Sequence, residues 1–480
     1  MDLNEASRGG GRSVEFLDQI NMASIVMLHE SGLIPALMAA RIADGIAQLI
    51  VREREKGAQR SADYLDYEPR LIAIVGQDAS RLHTGRSRQD IGATIARMSL
   101  RDGLLREYAA LLSARARLLA LAGQNKQTII PAYTHGVQAQ PTTLAHYLLA
   151  LASALSRDSE RLQAAYQRIN QSPLGAAALA TSSFPIDRKR LAVLLGFDGL
   201  VENSYDANHL ASVDGSLELA SALAISAIQL GQFAQDIHAQ YDDPSPWFML
   251  SEGRLTGVSS IMPQKRNPLA LEQLRIQCST MIGDMQTVFL LAHNTRTGMF
   301  DYRSYDPVPC ERPLQVYQLF QQILDGLVVN KDRAMAEVNA DYAVTTGIAD
   351  ALLKKADVPF RVGHHFASRL TDHGRGLGLK LREIPYSEAV RIYEVDAKQD
   401  FPLSESEFRE TIDAEHMVYG MKGAGGPQIA EVDRMLSDEQ GKLNAGSDWL
   451  QTRNGHLTAA ETSLNKSIAT LAAGAGPDRR

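Results

Sequence analysis

Cysteine and tryptophan are scarce in this chain, with two of each among 480 residues. The cysteines, Cys278 and Cys310, supply neither a disulfide framework nor the close spacing of a metal site, and fit buried free thiols in a reducing compartment. Aromatic residues make up 6% against 45% hydrophobic overall, a balance that suits Ala- and Leu-rich helix packing better than a strand-rich fold. Positive charge is not in excess: 49 Lys+Arg against 56 Asp+Glu leave −7, which gives no ground for nucleic acid or an anionic membrane as partner. No uninterrupted apolar run is long enough to cross a bilayer, and the polar, Gly-rich start does not read as a signal peptide. These absences predict a soluble, cytoplasmic protein.

What the chain has instead is helical periodicity. Leu271, Leu274, Cys278, Met281, Met285 and Val288 alternate spacings of three and four, as in a coiled-coil seam. Leu144, Leu148, Leu151, Leu155, Leu162, Tyr166 and Ile169 behave alike. A third run covers 216–240, with Asp214 or Ser216 as cap, and a fourth starts at Pro313 and carries Tyr317, Phe320, Leu324 and Leu327. Helices this long and unbroken cannot each bury two faces within one subunit. The pattern predicts a mainly α protein whose central long-helix bundle is completed by other copies. The flanks are more broken. Val358-Pro359 stops a helix after Ala356, glycines 423, 425 and 426 mark turns, and the polar Ala/Gly tail reads as frayed. The expected division is an N-terminal helical domain over 1–90, a central helical bundle over 91–340 and a C-terminal helical domain over 341–480.

Three segments carry chemistry. Residues 257–275 pack Ser259, Ser260, Lys265 and Asn267 into a short stretch before a helix. Asn267-Pro268 reads as a helix start, with Asn as N-cap and Pro at the first helical position. Free backbone N–H groups there, beside Lys265, would suit a carboxylate. Gly253 and Gly257 would let the loop move and deliver a serine onto a ligand. A solvated capping loop explains Asn-Pro but not the whole ordered set. Residues 83–90, His-Thr-Gly-Arg-Ser-Arg-Gln-Asp, and 131–141, which include Tyr-Thr-His and Gln-Pro, are weaker alone. The former could be a solvated helix start, and a lone histidine such as His135 is more often structural than catalytic.

Taken together, Ser259, Ser260, Met262, Pro263, Lys265 and Asn267 resemble the fumarase/aspartase superfamily motif, with Val258 where the family has glycine. The other two segments narrow the resemblance to the argininosuccinate lyase branch, as do residues 172–187, Gly196 to Gly199, Asn203-Ser204 and Tyr342 to Leu370. The resemblance implies a three-domain fold and a homotetramer in which three subunits share each active site, with no metal or organic cofactor. It makes Ser259 the base and pairs His135 with Glu272. Ser87, Arg88 and Thr134 match carboxylate-holding positions, and Ser260 and Met262 lie with them in the substrate-binding set. Removing a proton next to a carboxylate creates a doubly negative aci-carboxylate, which needs a fixed cation and donors such as Lys265 and Asn267. A serine acts as base only if its oxyanion is stabilised.

The departures fall at the other end of the substrate. Gln89 replaces the branch's asparagine. A gapless match over 298–307 puts Met299, Ser304 and Pro307 where argininosuccinate lyases carry Tyr, Gln and Lys, and Ile20-Asn21 replace a Gly-Ser pair. Arg296 and Arg303 nearby could hold an extra carboxylate. The fumarate end is kept and the amine end rebuilt. The chain is therefore expected to cleave an N-substituted aspartate to fumarate and an amine other than arginine, an aminopolycarboxylate as in ethylenediamine-disuccinate lyase being one option. The alternatives are an ordinary argininosuccinate lyase and an inactive, crystallin-like structural relative. The intact Ser259, Lys265, Asn267, His135 and Glu272 argue against the latter.

Overall fold

The computed structural model describes residues 12–55, 57–61, 63–298 and 311–474. The chain opens with α1 (Ser13–Glu30), α2 (Ala36–Glu53) and α3 (Tyr64–Val75), then α4 (Arg88–Gln124), 37 residues long. A hairpin of β1 (Ile129–Thr134) and β2 (Val137–Thr143) leads into α5 (Leu144–Ile169). Short elements follow: β3 (Gln171–Ser172), α6 (Arg188–Leu194), β4 (Gly199–Leu200), parallel to β3, and α7 (Ser204–His209). Next come α8 (Ala211–Ala239), β5 (Phe248–Leu250), β6 (Gly257–Val258), β7 (Arg266–Asn267) and α9 (Leu269–Ala292). After α10 (Glu311–Asp325), β8 (Leu327–Val329) pairs with β5 ahead of α11 (Lys331–Val338). The smaller helices α12 (Thr346–Ala356), α13 (Phe360–Leu377), α14 (Tyr386–Ala397), α15 (Glu405–Thr411) and α16 (Ala414–Tyr419) precede the 45-residue α17 (Ile429–Ala473).

Cross-helix hydrogen bonds fix the directions. Arg101 reaches Asn170 at 2.8 Å, Tyr108 meets Gln163 at 2.6 Å and Arg115 meets Ser159 at 3.1 Å, so α5 runs antiparallel to α4. Tyr147 bonds Asp236 at 2.8 Å and Arg275 bonds Gln235, so α8 runs back along α5, and α9 back along α8. Ser113 with Gln321 and Arg117 with Asp325 set α10 parallel to α4. Lys126 with Asp433 and buried Arg115 with Glu439 set α17 antiparallel to it. The bundle therefore has two ends. One gathers the start of α4, residues 170–209 and the end of α9. The other gathers the β1–β2 hairpin and the segment 240–268.

Every apolar residue of the seam expected on α9 is buried, and each such side chain contributes roughly 1.5–3 kcal/mol. The thiol of Cys278 is buried among them, which pushes its pKa up to about 12; Cys310 lies outside the described residues. The break after Ala356 is also as expected, with Asp357 left-handed and Pro359 opening α13.

Other expectations are corrected. The third run starts earlier, at Ala211, so Asp214 lies in the first turn and Ser216 is buried within the helix rather than capping it. Leu327 has left its helix for β8, paired with Leu250. Within Val213–Asp242 the most apolar 18-residue window has a mean hydropathy of 1.3, enough by length and composition alone to cross a membrane. Asp214, Glu218 and Asp236 interrupt the stretch, however, and half of that window is buried inside the protein, as in a core helix. Of the polar Ala/Gly tail, the part up to Ala473 is helical and residues 475–480 lie outside the described residues. The hydrophobic clusters draw on distant parts of the chain: α17 supplies Val432 and Leu443 to the bundle core, then Leu464 and Ile468 to the N-terminal cluster. The C-terminal cluster gathers buried residues from Val338 to Val418 together with Ile129.

Candidate active site

The loop from Gly257 to Asn267 is a small hairpin. Gly257 pairs with Asn267 and Val258 with Arg266, and Leu255 accepts a hydrogen bond from Ala270 N–H at 3.0 Å, tying the stem to α9. Within the turn the Ser259 hydroxyl oxygen accepts from Met262 N–H at 3.1 Å and Ile261 N–H at 3.4 Å. Two backbone donors aimed at one hydroxyl oxygen favour its deprotonated form. Ser259 is half-buried, whereas Ser260, Met262 and Lys265 are exposed, Val258 is 78% exposed and Ile261 83%. Asn267 does not cap the helix as expected. It is used in β7, and Pro268 takes the cap position, its carbonyl accepting from Leu271 and Glu272 N–H. Gly253 carries φ +117, a conformation open chiefly to glycine.

At the same end, the β1–β2 hairpin closes with Thr134 opposite Val137, leaving His135 (φ 55) and Gly136 (φ 76) as a two-residue turn. Positive φ at both central positions is the type I′ arrangement, for which Asn-Gly is the preferred pair. The imidazole is thus displayed at an exposed tip, with Val137 beside it 63% exposed. A register shift between Ala132 and Tyr133 twists the strand just before the tip.

The third cluster sits at the opposite end. Ser87 is the N-cap of α4 and forms a capping box with Asp90. Arg88 pairs with Asp63 at 2.7 Å, and Gln89 Nε2 lies 3.5 Å from the Asn208 carbonyl. Asp90 went unassigned from sequence, although Ser-x-x-Asp is a readable capping signal. Fully buried, it accepts from the N–H groups of Ser87, Gly175 and Ala177; burial pushes its pKa up to about 6 while those donors pull it down. Its bonds hold the segment around Ala177 (φ 53), whose carbonyl receives the Asn208 amide at 2.8 Å. His209 stacks on Tyr205 at 4.5 Å and lies against Gly298. Beyond Gly298, the expected positions Met299, Arg303, Ser304 and Pro307 lie outside the described residues. Asn21, the other departure, is buried in α1 by its own chain.

One chain does not assemble these groups. A 37-residue helix separates Ser87 from the hairpin that bears Thr134 and His135, a span of about 55 Å. Ser259, Lys265 and Glu272 lie at the hairpin end, yet no hydrogen bond or ion pair among the described residues joins His135 to Glu272 or to the serine loop. A recess of about 600 Å³ between α4 and α17, lined by Leu112, Leu450 and Asn454 among others, holds none of these residues. No group of three His, Cys, Asp or Glu side chains among the described residues is placed to hold a metal ion.

The fold and this loop define a fumarate-forming carbon–nitrogen lyase, and known proteins show the same. The profile of the lyase family matches residues 55–283, and that of the argininosuccinate lyase C-terminal region matches 342–419. The chain belongs to the fumarase/aspartase superfamily, on its argininosuccinate lyase-like branch. It is 30% identical to argininosuccinate lyase of Methanosarcina mazei, over 93% of this chain and 90% of that one. With argininosuccinate lyase of Bacillus subtilis it shares 32%, over 89% and 92% respectively. Among solved structures, EDDS lyase in complex with formate superposes with a TM-score of 0.90 at 28% identity, covering 98% of this chain and 94% of that one.

Proposed function

We propose that the chain splits an N-substituted aspartate, other than argininosuccinate, into fumarate and an amine, reversibly, in a homotetramer. The observation that carries this reading is the Ser259 hydroxyl held by two backbone N–H groups in an exposed loop beside Lys265. Ser259, as alkoxide, takes the proton from the carbon next to the distal carboxylate. The electron pair moves into that carboxylate, and Lys265 and Asn267 meet the added charge. The pair then returns to form the double bond of fumarate as the carbon–nitrogen bond breaks. The departing nitrogen takes a proton, for which His135, oriented by Glu272 of another copy, is the candidate donor. Ser87, Arg88 and Thr134 hold carboxylates, Gln89 contacts the substrate beside them, and Ser260 and Met262 close over them with the loop.

Two features support the tetramer: the separation of the clusters along α4, and exposed apolar residues on the long helices, including Ile228, Ile276 and Leu290. The reading against arginine rests on Met299, Ser304 and Pro307 in place of three polar contacts, with Gln89 narrowing the neighbouring space. Unpaired polar groups in a closed site cost about 1–3 kcal/mol each, so three losses lower efficiency on argininosuccinate by several powers of ten. The test is fumarate absorbance across a panel of N-substituted aspartates that includes argininosuccinate. Ser259→Ala should then lose at least ~100-fold in turnover with little change in KM, and Ser260→Ala less. Argininosuccinate matching the best alternative would refute the substrate assignment; a crippled Ser260→Ala beside a nearly active Ser259→Ala would move the base.

A further inference from the structure

His135 sits in a conformation that costs a non-glycine residue free energy, at a tip with little core around it, so something else must hold it in place. The structure supplies a clamp one residue pair below the tip. Tyr133 and Gln138 are cross-strand partners, and both grip Glu337 on α11. The Tyr133 hydroxyl donates to the Glu337 carboxylate, and Gln138 Nε2 donates to the Glu337 backbone carbonyl at 3.2 Å. The other carboxylate oxygen pairs with Arg333 at 3.2 Å, and Arg333 pairs with Asp243 at 2.8 Å. Asp243 begins the segment that runs through β5 to the Ser259 loop. The side chains of Trp247 and Gln240 also face the phenol, and its burial pushes the pKa up to about 12, so it remains a donor at physiological pH.

We propose that Tyr133 and Glu337 are positioning residues: they lock the strand pair that presents Thr134 and His135 and tie it to the root of the serine loop. The inference rests on the lyase reading for its kinetic arm only. Neither residue needs to touch substrate. Their effect is on how accurately the imidazole is presented, and small misplacements of reacting groups are costly in turnover.

The test uses the full-length assembled protein, with Tyr133→Phe, Glu337→Ala and Glu337→Gln. Tyr133→Phe keeps the ring but loses the hydroxyl; Glu337→Gln keeps an oxygen to accept it. Two measurements are made: hydrogen exchange by mass spectrometry over residues 131–138, and kcat and KM on the best substrate of the panel. Tyr133→Phe and Glu337→Ala should speed exchange at the tip and lower kcat by about ten- to a hundredfold at unchanged KM. Glu337→Gln should restore most of both, and the double variant Tyr133→Phe/Glu337→Ala should be no worse than either single one. Unchanged exchange in Tyr133→Phe overturns the clamp whatever the kinetics; faster exchange with full kcat overturns its role in presenting His135. If no N-substituted aspartate is turned over, the reaction assignment fails on its own and the exchange result still decides the clamp.

Discussion

Arg88→Ala and Ser259→Ala should each disable one end of the bundle, and mixing the two proteins asks whether those ends meet in another copy. Arg88 starts α4, and the Ser259 loop lies beyond its far end, on the order of 50 Å away at 1.5 Å per residue. No closure of a loop spans that distance within one chain. If a site takes residue 88 from one copy and residue 259 from another, random 1:1 tetramers give each supplier an even chance of being intact. The product is about one quarter of wild-type activity, regained from two inactive proteins. Fumarate formation after exchange through mild denaturant and dilution reads it, with isotope labelling to prove that subunits have mixed. Mixed tetramers no more active than their parents would refute the argument, as would an active monomer in sedimentation.

His135→Asn should keep or raise stability, because Asn-Gly suits the turn, while abolishing turnover; a loss of folding in thermal denaturation would contradict the turn assignment. Asp18, buried and beside Glu53, has its pKa raised to about 7, burial being the main cause. A raised acid favours the fold below its ordinary value of 3.8 and loses that contribution as pH rises through about 7. Asp18→Asn should therefore be the more stable protein at pH 8 and show a flatter stability profile from pH 4 to 7; parallel profiles would contradict this. Glu439→Leu strands the buried Arg115 guanidinium and should cost about 3–5 kcal/mol in denaturant unfolding, most of it recovered in Arg115→Met/Glu439→Leu. Full additivity of the two substitutions would show that the pair is not coupled.

The helices were legible where burial is apolar on every inward position, as along Leu271 to Val288. The longest helix was not. Leucines 436, 443, 450, 457, 464 and 471 recur every seven residues, a readable heptad, but the alternate inward positions are filled by Glu439, Gly446 and Arg453. These answer to other elements: Glu439 to Arg115, Gly446 to Tyr108, Arg453 to Asp198. Tertiary partners replaced the apolar half of the pattern, so it read as polar. At the site, the three motifs could be quoted from sequence because chemistry fixes their residue types. The backbone N–H groups on Ser259, the turn under His135 and the Glu337 clamp could not, since main-chain direction and long-range pairing leave no local signature. Asn267-Pro268 misled because a good capping residue was claimed first by a strand.

The candidate groups lie at opposite ends of a long helix, and a reaction that needs both would be subject to mass action. If the site is shared between copies as proposed, a copy that has left its assembly owns no finished site, so specific activity per chain should fall on dilution. Protein concentration then acts as an activator, and any molecule that covers one end of the bundle inhibits without resembling the substrate.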